Sequence, residues 1–171
     1  MSGVVYFLII FAVIAVDQVS KVLAVKYLMP IKTLPIIEDV IHLTYVENKG
    51  AAFGILQNQR WVFIVVSIVM MVLLFFIMVK YKADLHPLMM TGLSFVIGGG
   101  IGNMIDRTIS GFVVDFIDFT LIDFAVFNIA DSFICIGVGI MMLDIILGKS
   151  KLSFLDGNKS DKDDNNETEA D

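Results

Sequence analysis

Four apolar stretches constrain this chain more than any other feature, because each is about long enough to cross a hydrocarbon core as a helix. A core about 30 Å thick takes roughly 20 mostly apolar residues in an α-helix. Trp61 to Val79 is interrupted only by Ser67, and Leu88 to Ile105 and Phe124 to Leu143 are nearly as long. The first run, Val4 to Val16, is short but continues helically through Asp17, Gln18, Ser20 and Lys21 to about Leu28. It lacks the basic leader and the A-x-A-like cleavage site of a secretory signal peptide, so it reads as a retained, partly polar first span. The expected fold class is an all-α membrane protein, a bundle of four transmembrane helices.

Counting crossings places the unusual polar residues at one end of that bundle. With four spans, both termini and the short Lys80–Pro87 connection share one face. The long connections, Met29 to Arg60 and Asp106 to Asp123, share the opposite face. Lys21, Asn48, Asn103, Asp106, Arg107, Asp115 and Asn128 all fall near that second face. Asp17 lies roughly 21 Å along its helix and Asp131 roughly 8–10 Å below the surface, both in the same leaflet. Ionisable groups inside a bilayer are costly, so their clustering marks a functional site. Basic residues flank the spans on both faces, so charge counting leaves the orientation open.

The two long connections carry strand signals. Ile41, Leu43 and Tyr45 alternate with His42, Thr44 and Val46, and Phe112, Val114 and Phe116 alternate with Val113, Asp115 and Ile117. A period of two argues for strands, and Asn48, Lys49 and Gly50 supply turn chemistry after the first. A small sheet on the membrane surface is expected, with Trp61 marking the interface.

Charge and cysteine content narrow the chemistry. The net charge of −6 is concentrated in a tail, Asp156 to Asp171, which holds seven acids and two lysines. The rest is nearly neutral and offers no basic face for nucleic acid. The tail resembles a calcium loop only at its start, with Asn166 where Gly is required, and reads as disordered and solvating. One cysteine, Cys135, and two histidines on opposite faces, His42 and His86, make a metal site improbable, and no cofactor is expected. Ser20 precedes Lys21 directly, and adjacent helical residues do not face each other, which disfavours a Ser–Lys mechanism.

Two carboxylates remain as the candidate engine. Asp115 sits on a strand just before the fourth span and Asp131 just inside it. Carboxylates sharing a site cannot both ionise cheaply, so one keeps its proton and can donate while the other activates water. The residues alone leave open a structural Asp131 bonded to Asn128 or Ser132. Asp118 and Asp123 read as solvated loop acids, and Asp144, roughly 20 Å away, as a headgroup-level acid beside Lys149. Asp17 with Lys21, and Asp106 with Arg107, read as ion pairs or substrate-orienting groups. Gly98 and Gly102 form a small-xxx-small packing stripe. A carboxylate-lined proton or cation transporter and a non-catalytic lipopeptide-binding membrane protein are the alternatives.

Five blocks in order then resemble the lipoprotein signal peptidase family, also called signal peptidase II, from about residue 5 to 148. They are Asp17-Gln18-Val19-Ser20-Lys21; Asn48-Lys49-Gly50-Ala51-Ala52-Phe53; Gly99 to Asn103 with Asp106-Arg107; Val113-Val114-Asp115-Phe116; and Phe127-Asn128-Ile129-Ala130-Asp131-Ser132. The resemblance implies an intramembrane aspartic endopeptidase that cuts prolipoproteins just before a lipid-modified cysteine, without metal. It implies catalytic Asp115 and Asp131, with Asp17, Lys21, Asn48, Asn103, Arg107 and Asn128 as further functional positions. It also implies a bacterial plasma-membrane location, cytoplasmic termini and an extracytoplasmic site. Residues 1–150 would form the peptidase domain and 151–171 an acidic tail outside the family pattern.

Overall fold

The computed structural model describes residues 3–50 and 60–150. Ala51, Ala52 and Phe53 of the second block, and the acidic tail, lie outside the described residues. Four helices are long and apolar enough to cross a membrane. Helix α1 (Gly3–Leu23) runs on into a π-helical turn (Ala24–Leu28), followed by strands β1 (Thr33–Ile37) and β2 (Ile41–Asn48). Helices α2 (Arg60–Lys80) and α3 (Pro87–Ile109), strand β3 (Val113–Asp118), a 3₁₀ turn (Thr120–Ile122) and helix α4 (Ile129–Ile146) complete the order.

Helix α3 is the centre of the bundle. It packs against α1, α2 and α4, and 56% of its apolar window is buried against 11% for α2. Its glycines allow this. A Cβ on Gly98 would lie 2.8 Å from the Val13 Cβ on α1, and one on Gly99 would lie 2.5 Å from the Ala130 carbonyl oxygen on α4. The outward faces stay apolar, as lipid contact requires: Phe11, Val19, Val65, Val72 and Ile136 are all exposed.

The sheet caps one end of the bundle. Its order is β1-β2-β3, antiparallel throughout. Val114 and Phe116 pack with Ala24 and Leu28, at the C-terminal end of α1. Strand β1 was not anticipated, because Pro35 interrupts it and its side chains are exposed. Proline is tolerated there since β1 is an edge strand, with no ladder donor required on its free side.

Two boundaries differ from the expectation. Helix α4 begins at Ile129, not near Phe124, because Phe127 is drawn into an antiparallel bridge with Ile117. Its amide donates to the Ile117 carbonyl and its carbonyl accepts from Phe116 and Ile117. Asp131 is therefore the third residue of the helix, about 4–5 Å from its start. Asp144 lies near the C-terminal end of α4, two residues before Ile146, but its side chain is not turned outward. It is fully buried, with Oδ1 at 3.3 Å from Nδ1 of His86, so its charged neighbour is His86 and His86 does not stand alone as expected.

Candidate active site

The site grows from a buried stripe on α1. Tyr6, Ile10, Val13, Asp17 and Lys21 are all buried, at the i, i+3, i+4 spacing of one helix face. Two of these stripe positions carry charge, and both point inward at 0% and 3% exposure. The Lys21 ammonium meets Asp17 Oδ2 at 2.9 Å and Asp106 Oδ2 at 3.0 Å, and donates to Asn103 Oδ1 at 2.9 Å. Each carboxylate is anchored further. Asp17 Oδ1 accepts from the Ala130 amide, 3.0 Å away, one of the free N–H groups that open α4. Asp106 Oδ2 accepts from the Val114 amide at 3.2 Å. Gly102 makes room for this knot, since a Cβ there would lie 2.5 Å from Asp17 Oδ2.

Asn128 then joins the two candidate catalytic acids. It is the N-cap of α4, and its Oδ1 accepts from the Asp131 amide at 3.0 Å. Its own amide donates back to Asp131 Oδ2 at 3.2 Å, closing a capping box. The side-chain Nδ2 is left to donate to Asp115 Oδ1 at 2.6 Å and to Asn103 Oδ1 at 3.1 Å. On the other oxygen of Asp115, Asn48 Nδ2 donates at 2.9 Å, with its own Oδ1 held by the Gly50 amide. Asn103 Nδ2 donates to Asp131 Oδ1 at 2.7 Å.

Asp115 is 2% exposed. Burial pushes its carboxyl up to about 6, with the Asn48 amide opposing, the nearby charge of Asp131 adding, and Asn128 and Lys21 opposing again. A carboxyl that titrates beside a second carboxylate is suited to sharing a proton. Asp131 is only half-buried. It is bonded to Asn128 through both its amide and its carboxylate, within electrostatic reach of Asp115.

Other expectations are redistributed. Asp106 turns to Lys21 rather than pairing with Arg107, because its helix position faces α1 and the sheet. The Arg107 guanidinium lies 5.1 Å from the centre of the Phe63 ring on α2, electrostatically facing Asp131, Asp115 and Asp106. Asp118 is not a free loop acid, since its Oδ2 accepts from Thr44 Oγ1 at 2.7 Å across the strands. Asp123 is exposed in a turn with φ of 49°. Ser20 Oγ donates to the Asp17 carbonyl, not toward Lys21. Sequence reasoning gave no role to Gln18, whose Nε2 reaches Asp17 Oδ2, the Gly102 carbonyl and Asp106 Oδ1 at 3.1–3.2 Å. It also missed Phe63. Among the described residues no group of three or more His, Cys, Asp or Glu side chains is placed to hold a metal.

Known proteins are similar to this chain in sequence and fold. The family model described as signal peptidase (SPase) II matches residues 9–147. A lipoprotein signal peptidase of Brevibacillus brevis is 48% identical over 91% of this chain and 98% of its own length. One from Clostridioides difficile is 43% identical over 85% and 97% respectively. A bacterial membrane enzyme solved by the in meso method at 2.3 Å resolution superposes with a TM-score of 0.76. It has 33% identity, over 85% of this chain and 89% of that one. With more than half the chain inside the family model and relatives at this identity over nearly full length, the chain belongs to the signal peptidase II family.

Proposed function

We propose that this chain is an intramembrane aspartic endopeptidase that removes the signal peptide from lipid-modified prolipoproteins, cutting just before the diacylglyceryl-cysteine. One observation carries the chemistry: Asn128 holds Asp115 by its side chain and Asp131 by its backbone, so both carboxylates belong to one hydrogen-bonded unit. Each of the four carboxylate oxygens accepts one hydrogen bond, two from Asn128 and one each from Asn48 and Asn103, and keeps a second lone pair. The unit can therefore bind a water and a proton at once.

In this reading the ionised member takes a proton from water as it attacks the scissile carbonyl, and the protonated member donates to the carbonyl oxygen. The proton then passes to the leaving amine as the tetrahedral intermediate collapses. No metal or cofactor is needed. Arg107, free of an ion-pair partner among the described residues, is placed to orient substrate beside the dyad, and Asn48, Asn103 and Asn128 to orient the acids. A diacylglyceryl anchor cannot leave the bilayer cheaply, at about 0.8 kcal/mol per buried CH₂. A dyad one helical turn inside the membrane surface meets such a substrate where it is held.

The location follows the family: a bacterial plasma membrane, termini on the cytoplasmic face, dyad and sheet on the extracytoplasmic one. Residues 1–150 form the catalytic domain, and residues 151–171 an acidic cytoplasmic tail. The test uses the full chain in lipid nanodiscs with a diacylglyceryl-modified prolipoprotein peptide, read by mass spectrometry. Fragments that separate immediately before the modified cysteine are expected. Recovery of intact peptide would leave a lipopeptide-binding protein instead.

A further inference from the structure

We propose that Lys21 is a positioning residue for hydrolysis, acting through the Asn103 amide rather than on substrate. An ammonium has three N–H donors, and those of Lys21 are directed to Asp17, Asp106 and Asn103. At 3% exposure it has no donor left for a peptide or a lipid.

Its effect on Asn103 follows from the two ways an amide can face. As placed, Oδ1 accepts from Lys21 and from Asn128 Nδ2, and Nδ2 donates to Asp131. Turned by 180°, the amide would set its NH₂ against the ammonium and against another NH₂, and its oxygen against the Asp131 carboxylate. The buried cation therefore selects the orientation in which Asp131 receives a donor. The other two amides that touch the dyad are keyed differently. Asn48 is held by the Gly50 amide and Asn128 by the Asp131 amide. Asn103 alone depends on a charged side chain. That side chain is in turn fixed by Asp17 and Asp106, which Gln18 bridges and the Ala130 and Val114 amides anchor. The charged stripe of α1 thus reaches the chemistry without touching the substrate.

This inference rests on the dyad reading above, and a double-mutant cycle in the purified full chain tests it separately. Cleavage of the lipidated peptide is measured for wild type, Lys21→Met, Asn103→Ala and the double variant. Lys21→Met is expected to lower kcat about 10- to 100-fold, the scale of a reacting group misplaced by up to about 1 Å, with KM within about twofold of wild type. In the Asn103→Ala background the same substitution should lower kcat by less than about threefold, since no amide remains to orient. Effects that multiply, or a Lys21→Met defect that lies in KM, would overturn the proposal. If Lys21→Met does not fold, Asp17→Asn with Lys21→Met and Asp106→Asn leaves no buried lone charge and takes its place. Wild-type kcat in that variant would equally overturn it. Asp131→Asn, run alongside, reports on the dyad itself, so failure of the peptidase reading and failure of this one give different patterns.

Discussion

Replacing Asn128 by aspartate keeps the start of α4 and removes one donor from the dyad. Aspartate caps a helix about as well as asparagine, so the bond from the Asp131 amide survives. The two bonds made by Nδ2 do not: 2.6 Å to Asp115 Oδ1 and 3.1 Å to Asn103 Oδ1. A hydrogen bond to a charged group contributes about 1.5–3 kcal/mol and a neutral one about 0.5–1.5 kcal/mol, together about 2–4.5 kcal/mol. At 1.36 kcal/mol per tenfold, that is about 30- to 2,000-fold in rate. The new oxygen would face Asp115 at hydrogen-bond distance, and the pair relieves its repulsion by trapping a proton that hydrolysis needs to move. The assay is cleavage of a lipidated prolipoprotein peptide by the full chain in micelles, with far-UV circular dichroism recording helix content. A large fall in kcat with unchanged helicity is expected. Turnover by Asn128→Asp within about threefold of wild type would refute the claim that this amide serves the dyad.

Other outcomes follow from the same geometry. Asp115, pushed up to about 6 while Asp131 is charged beside it, loses the dyad's shared proton as pH rises through that value. The kcat/KM of the free enzyme should therefore fall across it. Asn48→Ala removes a hydrogen bond that favours the carboxylate, so the break in the pH–rate profile moves to higher pH. Because the Asp115 value in the fold exceeds its ordinary 3.8, its protonation favours the folded chain below about 4. That contribution is lost as pH rises through about 6, which thermal unfolding at a series of pH values would show. Gly102→Ala sets a methyl against the Asp17 carboxylate and should cost about 1–3 kcal/mol of stability by overpacking, read from thermal unfolding. Asp144→Leu removes a buried acid whose oxygens make no hydrogen bond among the described residues and whose ion-pair neighbour, His86, is partly exposed and can be solvated without it. The thermal midpoint should hold or rise, and the cleavage rate should be unchanged.

The spans and their shared polar end were legible because both follow from apolar length and from the cost of charge in a bilayer. That Asp115 and Asp131 would gather at that end was legible for the same reason, and both bond to Asn128 there. What escaped was decided by partners distant in sequence. The start of α4 moved to Ile129 because Phe127 found Ile117, a pairing with no local signal. Strand β1 was hidden by Pro35, which matters only once the strand is known to lie at an edge. Asp106 chose Lys21 over its neighbour Arg107 since adjacent helical residues point apart. The buried stripe Tyr6, Ile10, Val13, Asp17, Lys21 also announces that both charges face inward. Their connection to Asn103 and Ala130 needed the third dimension. Asp144 looked like a surface acid because its partner, His86, lies 58 positions earlier at the other end of the loop-and-helix path.

The most direct measurement is single-turnover cleavage of a diacylglyceryl-modified prolipoprotein peptide by wild type, Asp115→Asn and Asp131→Asn, each shown to be folded. Loss of either carboxylate should lower the cleavage rate at least about 10²–10⁴-fold. Cleavage at close to the wild-type rate by either folded variant would contradict the account, because hydrolysis would then proceed without a carboxylate pair.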